Sequence, residues 1–281
     1  MAKLQHDDQF QELLAYLRAT LGFEAGSFSA SSTLRAITRR VRAVGAADFG
    51  DYLSFMQLQP EESARLAHSI ILNFTGFFRE RPAWDFLATR ALADIAARTS
   101  AGRRARMWSA GCASGEETYT LAMLAAEALG TTELERRVAI YGTDVDEEAL
   151  AYARRASYTE AEVEAVPRRL RRRYLERTGD VYRINDALAR SVTFARHDLL
   201  QDAPLSDVDL VICRHTLMYF DANAQARILD SFHRALREAG FLFLESTDRA
   251  VAHGRLFASA GAQHALFVRV DADFDVAEQA P

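Results

Sequence analysis

The first 75 residues carry apolar side chains at helical spacing. In the first segment they recur every three or four positions, at Phe10, Leu13, Leu14, Leu17 and Leu21. This spacing predicts a helix that Asp8 caps and Gly22 ends. A second helix is predicted around Leu34, Ile37, Val41 and Val44, and two more over 48–56 and 61–72, separated by Pro60. We expect a small helical domain over residues 1–75.

From about residue 104 onward, short apolar runs alternate with helical patterns. The runs are Met107–Trp108, Val138–Tyr141, Leu210–Ile212 and Phe241–Leu244, and the helical patterns cover about 116–129, 146–155 and 223–237. Apolar runs without polar alternation are typical of strands that are covered on both faces. The sequence therefore predicts an α/β domain over residues 76–281, built on a doubly wound, mainly parallel sheet.

The pattern changes between residues 158 and 196, where we expect a small antiparallel β insertion. Strands are predicted at 181–184 and 191–194, the first after the turn signal Thr178-Gly179-Asp180. Thr159 with Glu162 predicts a capped short helix, and Pro167 starts another. Beyond the insertion, Ala265–Val270 is expected to add an edge strand to the main sheet, and the acidic last residues to fray.

Composition is that of an ordinary globular protein, with 49% hydrophobic and 26% charged residues among 281. No apolar run approaches membrane-spanning length and no signal-peptide core is present, so we expect a cytoplasmic protein without membrane insertion. The net charge of -5 does not favour nucleic acid. The two cysteines, Cys112 and Cys213, lack metal-ligand spacing, and no metal is expected.

The candidate chemistry begins at residues 108–117, where a buried strand, a glycine turn and a helix start follow one another. Gly111 and Gly115 allow a positive φ or a close approach to a ligand. A dinucleotide is disfavoured, because the third glycine is missing and two glutamates follow where a pyrophosphate would sit. An uncharged or cationic nucleoside fits better, with S-adenosylmethionine as the candidate. The alternative is a purely structural strand-to-helix turn.

Asp144 ends the next predicted strand, where its carboxylate can accept hydrogen bonds from ribose hydroxyls. The alternative for this residue is a plain helix cap, because Asp146 and Glu147 open the next helix.

Four segments together resemble the chemotaxis receptor methyltransferases, the CheR family of protein-glutamate O-methyltransferases. They are residues 73–80, 109–117, 142–146 and 213–221. The resemblance implies a class I S-adenosylmethionine-dependent methyltransferase fold. It also implies transfer of methyl groups to glutamate side chains of chemoreceptors during chemotactic adaptation, with S-adenosylhomocysteine as the product.

The resemblance also implies roles for individual residues. Asn73, Thr75 and Arg79 would contact the cofactor, with Arg79 beside the transferred methyl group. Glu117 would approach the methionine moiety, and Asp144 the ribose. As a catalytic residue, Arg79 can hold the substrate carboxylate by a forked pair of hydrogen bonds. The alternative for Arg79 is an ordinary ion pair with Glu80 or Glu116.

Further along the chain, Asp198 and Leu199 would frame the adenine, and His215 and Thr216 would line the pocket beneath the sulfonium. Tyr219 would border the substrate as a second catalytic candidate, the alternative being a packed aromatic. The family usually has asparagine where this chain has Asp198 and His215. A protonated His215 would repel a sulfonium, so cofactor affinity is expected to fall at low pH.

The expected partner is the acidic helical cytoplasmic region of a chemoreceptor. An arginine stripe on the second helix could dock it, through Arg35, Arg39 and Arg42, although a solvated helix face is the alternative. The loop between Leu175 and Val181 contains a single glycine, Gly179, which argues against docking through a receptor's C-terminal peptide. A monomer is expected. The rival functions are methylation of another protein or of a small acid, and a non-catalytic module that senses the cofactor.

Overall fold

The computed structural model describes residues 2–21, 30–59, 62–63, 65–66, 69, 75–99, 103–131, 134–220, 222–245, 256–261 and 264–270. They divide into two compact units, Met1–Phe74 and Thr75–Pro281.

The N-terminal unit is helical, with α1 (Ala2–Leu21), α2 (Ala30–Val44) and α3 (Phe49–Leu58). Its core contains the apolar positions that the helical spacing predicts, including Leu13, Leu17 and Ile37, all fully buried. The Asp48 side chain caps α3 by accepting from the Asp51 N–H. The predicted start of the first helix is wrong, because α1 begins at Ala2, well before Asp8. The predicted stop at Gly22 lies outside the described residues.

A buried carboxylate lies inside this unit. Glu62 is 1% exposed and accepts from Arg40 through both oxygens, at 2.8 and 2.7 Å. The Tyr52 hydroxyl donates to Glu62 Oε1 at 2.7 Å. Burial and the neighbouring Glu62 raise the pKa of Tyr52, so its hydroxyl keeps the proton that it donates.

The C-terminal unit is built on a seven-stranded sheet. Its strands, in chain order, are β1 (Ala105–Ala110), β2 (Val138–Asp144), β6 (Val192–Arg196), β7 (Val208–Cys213), β8 (Leu236–Leu244), β9 (Phe257–Ser259) and β10 (Leu266–Arg269). The spatial order is β6-β2-β1-β7-β8-β10-β9, and the pairs from β6 to β8 are all parallel. This arrangement confirms the predicted doubly wound, mainly parallel sheet.

Helices cover both faces of this sheet. They are α4 (Arg81–Leu87), continued by a π-helical stretch (Ala88–Leu92) and α5 (Ala93–Arg98), then α6 (Glu116–Leu129), α7 (Leu134–Arg137), α8 (Glu147–Arg155), α9 (Arg168–Tyr174), α10 (Asp186–Ala189) and α11 (Ala222–Ala235). Successive residues of β1 point to opposite faces, so Met107 packs in the core beneath α4 to α6, and Trp108 in the core beneath α11. This two-sided burial explains why the strands show no polar alternation.

The structure corrects three sequence expectations in this unit. The insertion forms a small antiparallel sheet of β3 (Ser157–Thr159), β5 (Val181–Ile184) and β4 (Leu175–Thr178), whereas β6 pairs with β2 in the main sheet. The last strand, β10, is not the edge, because β9 pairs outside it. Thr159 and Glu162 form their reciprocal capping bonds, at 2.7 and 3.4 Å, but residues 160–165 continue as turns.

The strand order reverses next to β1, which has β2 on one side and β7 on the other. In an open parallel sheet, the loops at the carboxyl ends of the strands on either side of such a reversal diverge and leave a crevice. The predicted ligand-binding segments after β1, β2 and β7 therefore meet at one edge of the sheet.

Candidate functional site

The glycine turn after β1 is fixed against the end of β2. The N–H groups of Gly111 and Cys112 both donate to the Thr143 carbonyl, at 2.8 and 2.9 Å. Gly111 has φ +74, and a Cβ atom there would lie 2.4 Å from Oγ1 of Thr216, a buried residue beyond the end of β7. Only glycine lets the two loops approach so closely, which brings the predicted pocket residues Gly111 and Thr216 together.

Asp144 lies at the tip of β2 with a 2% exposed side chain. Its Oδ2 accepts from the Ala113 N–H and its Oδ1 from the Asp146 N–H, both at 2.9 Å. Asp146, rather than Asp144, caps α8 by accepting from the N–H groups of Glu148 and Ala149. The helix-cap alternative for Asp144 is therefore wrong, and its carboxylate instead links the glycine turn to the end of β2.

The two glutamates that open α6 point into different surroundings. Glu116 is buried and accepts from the Ser114 hydroxyl at 2.8 and 3.1 Å, and burial raises its pKa to about 7. Glu117 lies toward Ser109, whose hydroxyl is 3.5 Å from Glu117 Oε1. Burial raises the pKa of Glu117 to about 7 as well, although the positive charges of Arg214 and Arg79 oppose the shift.

Arg79 lies in a turn at residues 77–80, half-buried, close enough to Glu117 and His215 to affect the pKa of both. The two acids offered as ion-pair alternatives have other partners. Glu116 binds Ser114, and Glu80 binds Arg214 at 2.7 Å. The positive charge of Arg79 therefore acts on the predicted pocket residues Glu117 and His215.

His215 follows β7 in the left-handed region, with φ +57. Its Nε2 lies 3.0 Å from Glu245 Oε2 and 3.6 Å from Glu80 Oε1, although neither contact has hydrogen-bond geometry. Burial lowers the pKa of His215 to about 4, and the positive charges of Arg79 and Arg214 add to this, while Glu245 acts in the opposite direction. The histidine is therefore neutral at pH 7, and protonation would affect cofactor binding only near pH 4.

Three residues of this cluster were not predicted from the sequence: Arg214, Glu245 and Glu80. Arg214 and Glu245 directly follow the apolar runs of β7 and β8, so their position at the carboxyl edge was a signal that could have revealed them. Ligand atoms of Glu80, His215 and Glu245 lie within 4.8 Å of one another. The Arg214 guanidinium lies 2.7 and 3.0 Å from the two carboxylates and offsets one of their two negative charges.

The predicted adenine residues begin the loop after β6. The His197 N–H donates to the Asp144 carbonyl at 3.0 Å, which places this loop next to the ribose candidate. Asp198 Oδ1 accepts from the Leu200 N–H at 2.9 Å, so one carboxylate oxygen already holds the turn. Leu199 is half-buried and packs against the core that contains Trp108.

Other predicted residues are not brought into this cluster by the described structure. Asn73 and the side chain of Tyr219 lie outside the described residues, although the backbone of Tyr219 ends a short 3-10 helix, Leu217–Tyr219. Thr75 is half-buried at the start of the C-terminal unit.

The docking candidates belong to α2 of the N-terminal unit. Arg42 is exposed and Arg39 is half-buried, while the side chain of Arg35 lies outside the described residues. Among the described helices, none is long and apolar enough to cross a membrane.

The residues at this edge fit a cationic nucleoside. The Gly111 turn packs closely against Thr216, and carboxylates stand at Asp144 and Glu117. No glycine-rich phosphate cradle accompanies them, because the first turn of α6 carries two glutamates. The neutral His215 does not oppose a sulfonium.

Comparisons with known proteins identify the family of this chain. The family model "CheR methyltransferase, SAM binding domain" matches residues 73–266. The chemotaxis protein methyltransferase of Escherichia coli K12 is 31% identical over 245 residues, covering 84% of this chain and 82% of that protein.

A further relative is an uncharacterised 104.1 kDa protein of Rhodobacter capsulatus, 33% identical over 233 residues. The match covers 83% of this chain but 24% of that protein, so the chain spans about a quarter of this relative's length. Among solved structures, the N-methyltransferase NodS of Bradyrhizobium japonicum in complex with S-adenosylhomocysteine matches 68% of this chain and 88% of its own. The TM-score is 0.40 and the identity 16%.

Proposed function

Since this chain belongs to the CheR methyltransferase family, we propose that it transfers a methyl group to glutamate side-chain carboxylates of chemoreceptors, forming methyl esters. The family gives the enzyme class, an S-adenosylmethionine-dependent methyltransferase of chemotaxis.

The observation that carries the proposal is the convergence of loops at the carboxyl edge of the sheet. The Gly111 turn approaches Thr216, Asp144 binds that turn, and the charge of Arg79 acts on Glu117 and His215. Residues far apart in sequence thus form one charged, partly buried site. Its acids suit the ribose and the methionine ammonium of the cofactor, and its arginine suits a carboxylate substrate.

Methyl transfer to a carboxylate requires little acid–base catalysis from the protein. A glutamate side chain with a pKa of about 4.3 is already ionised at neutral pH and is itself the nucleophile. The cofactor, when bound, supplies a methyl group activated by the positive sulfonium. The protein must still orient the substrate carboxylate toward the methyl group and exclude water from the site. We assign the orientation to Arg79, whose forked donors match both carboxylate oxygens.

The cofactor residues follow from their positions. Asp144 would accept from the ribose hydroxyls, and Asp198 and Leu199 would frame the adenine. Glu117 would receive the methionine ammonium. His215 and Thr216 would lie under the sulfonium, and burial keeps His215 neutral at pH 7, so that it would not repel the sulfonium.

We further propose that the partner is the helical cytoplasmic region of a receptor, docked on α2 through Arg35, Arg39 and Arg42. Buried positions Ile37 and Val41 define the inner face of this helix, and Arg42 is on its exposed side. The turn of β4 and β5 contains Gly179 as its single glycine, which supports docking without a receptor C-terminal tether. We propose that the enzyme acts as a cytoplasmic monomer.

The test is methylation of receptor-containing membranes with cofactor labelled in its methyl group. Transferred label should be released by mild base, as a carboxyl methyl ester would be, and Arg79→Ala should abolish most transfer. Arg81→Ala is the matched control, because Arg81 is exposed and pairs only loosely with Asp85, at 3.6 Å. Label resistant to base would exclude a glutamate ester. Label in a fraction without receptors would favour another protein or a small acid as substrate.

A further inference from the structure

The turn that carries Arg79 is held in a costly backbone conformation. Phe78 and Glu80, on either side of Arg79, have φ values of +51 and +58, in the left-handed region that side chains with a Cβ avoid. Such strain persists only where the surrounding structure fixes it, and it is concentrated at functional sites. The groups that hold this turn therefore decide where the Arg79 side chain points.

The turn is held from two sides. The Phe78 N–H donates to the Thr120 hydroxyl of α6 at 3.1 Å. From the other side, the guanidinium of Arg214 donates to the Arg79 carbonyl at 3.1 Å and to the Glu80 carboxylate at 2.7 Å. Arg214 thus contacts both the backbone of Arg79 and the side chain of the next residue.

Arg214 has little freedom of its own. Its side chain is 1% exposed, and the guanidinium lies near the rings of Trp84 and Phe243, 5.8 and 5.1 Å from their centroids. Glu245, which follows β8, accepts from the same guanidinium at 3.0 Å. The rings and the two carboxylates fix the planar guanidinium of Arg214. The position of the turn therefore depends on the position of the sheet edge to which Arg214 belongs.

We propose that Arg214 is a positioning residue that sets the direction of Arg79 by fixing the 77–80 turn to the ends of β7 and β8. This inference rests on the role proposed for Arg79 in the transfer reaction. Arg214 need not touch substrate or cofactor for this role. Its charge also reduces the repulsion between Glu80 and Glu245, whose carboxylate oxygens lie within 4.8 Å of each other.

The experiment compares Arg214→Lys with Arg103→Lys in the full chain. Lysine keeps the charge but lacks the fork that reaches Arg79, Glu80 and Glu245 together. Arg103 is the control, because it also binds a buried carboxylate, Asp209 at 2.8 Å, but at the opposite end of the sheet. Methylation kinetics and hydrogen exchange of residues 76–81 are measured for each variant.

If Arg214 acts through Arg79, Arg214→Lys lowers kcat by about 10- to 100-fold, since small misplacements of a positioning group are that costly. Exchange of the 76–81 segment becomes faster, whereas Arg103→Lys leaves both quantities near the wild type. In an Arg79→Ala background, Arg214→Lys should lower kcat by no more than about threefold further, because the two residues act as a unit.

Glu80→Gln is the milder second variant, in case Arg214→Lys folds poorly. Glu80 is 45% exposed, so glutamine weakens one tether by removing its charge and leaves no hole. A smaller fall in kcat, again absent in the Arg79→Ala background, is expected.

The positioning role would be overturned if Arg214→Lys and Arg79→Ala lowered kcat independently. Unchanged hydrogen exchange of residues 76–81 in Arg214→Lys would overturn it as well. If the wild type does not methylate receptor membranes at all, the proposed function fails, and the exchange measurement alone still decides whether Arg214 holds the turn.

Discussion

The ionisation of Glu117 should make cofactor binding depend on pH near neutrality. Burial raises its pKa to about 7, so the free protein exists as a mixture of protonated and ionised Glu117 at physiological pH. The charged groups around it are Arg79, Arg214 and Glu245, each from a different segment. If Glu117 receives the methionine ammonium, only the ionised form binds well, and binding releases a proton.

The size of the effect follows from this pKa. About one tenth of Glu117 is ionised at pH 6 and about nine tenths at pH 8. Affinity for the cofactor should therefore rise about tenfold over this interval, which corresponds to about 1.4 kcal/mol. The cofactor should bind more tightly at higher pH, because the bound state favours the deprotonated Glu117 carboxylate. His215, with a pKa of about 4, does not titrate in this range.

Calorimetry with S-adenosylhomocysteine at pH 6, 7 and 8 measures this dependence. Repeating the titration in buffers of different ionisation enthalpy gives the number of protons released on binding. Glu117→Gln should flatten the pH dependence. Glu116→Gln is the matched control, because Glu116 has the same raised pKa but faces Ser114, so the dependence should survive. Equal affinities at pH 6 and 8, or a dependence that persists in Glu117→Gln, would refute the assignment.

Two further predictions concern single contacts. Gly111→Ala should lower the free energy of unfolding by about 2–4 kcal/mol and abolish cofactor binding, because the new Cβ meets Thr216 and φ is +74. Gly179→Ala, with φ +62 but open space around it, should cost only about 1 kcal/mol in urea denaturation and leave binding intact, and equal losses for the two variants would contradict this. Glu62→Gln should destabilise the N-terminal unit by about 2–3 kcal/mol, somewhat less than for a fully buried pair because Arg40 is 26% exposed. Hydrogen exchange within α3 measures that loss, and unchanged exchange would show that the pair contributes little.

The sequence alone was sufficient for the β1–turn–α6 unit and the acid at the tip of β2. The signals were local: buried strands without polar alternation, two glycines and a terminal aspartate. Such patterns can be interpreted from the sequence without knowing which residues are neighbours in the fold. The same holds for the N-terminal helices, whose spacing places Leu13, Leu17 and Ile37 in the core. The roles of Asp144 and Glu117 toward a cofactor stay predictions.

Only the tertiary structure decided which strand lies at an edge and which acid meets which arginine. β6 is short and pairs with β2, which is distant in sequence, so nothing local distinguishes an insertion strand from a sheet edge. Arg214, Glu245 and Glu80 come from three separate segments, and their shared site exists because parallel strands end at one edge. The pKa values of Glu117 and His215 depend on the same packing, since desolvation is a property of the folded surroundings and not of the residue type.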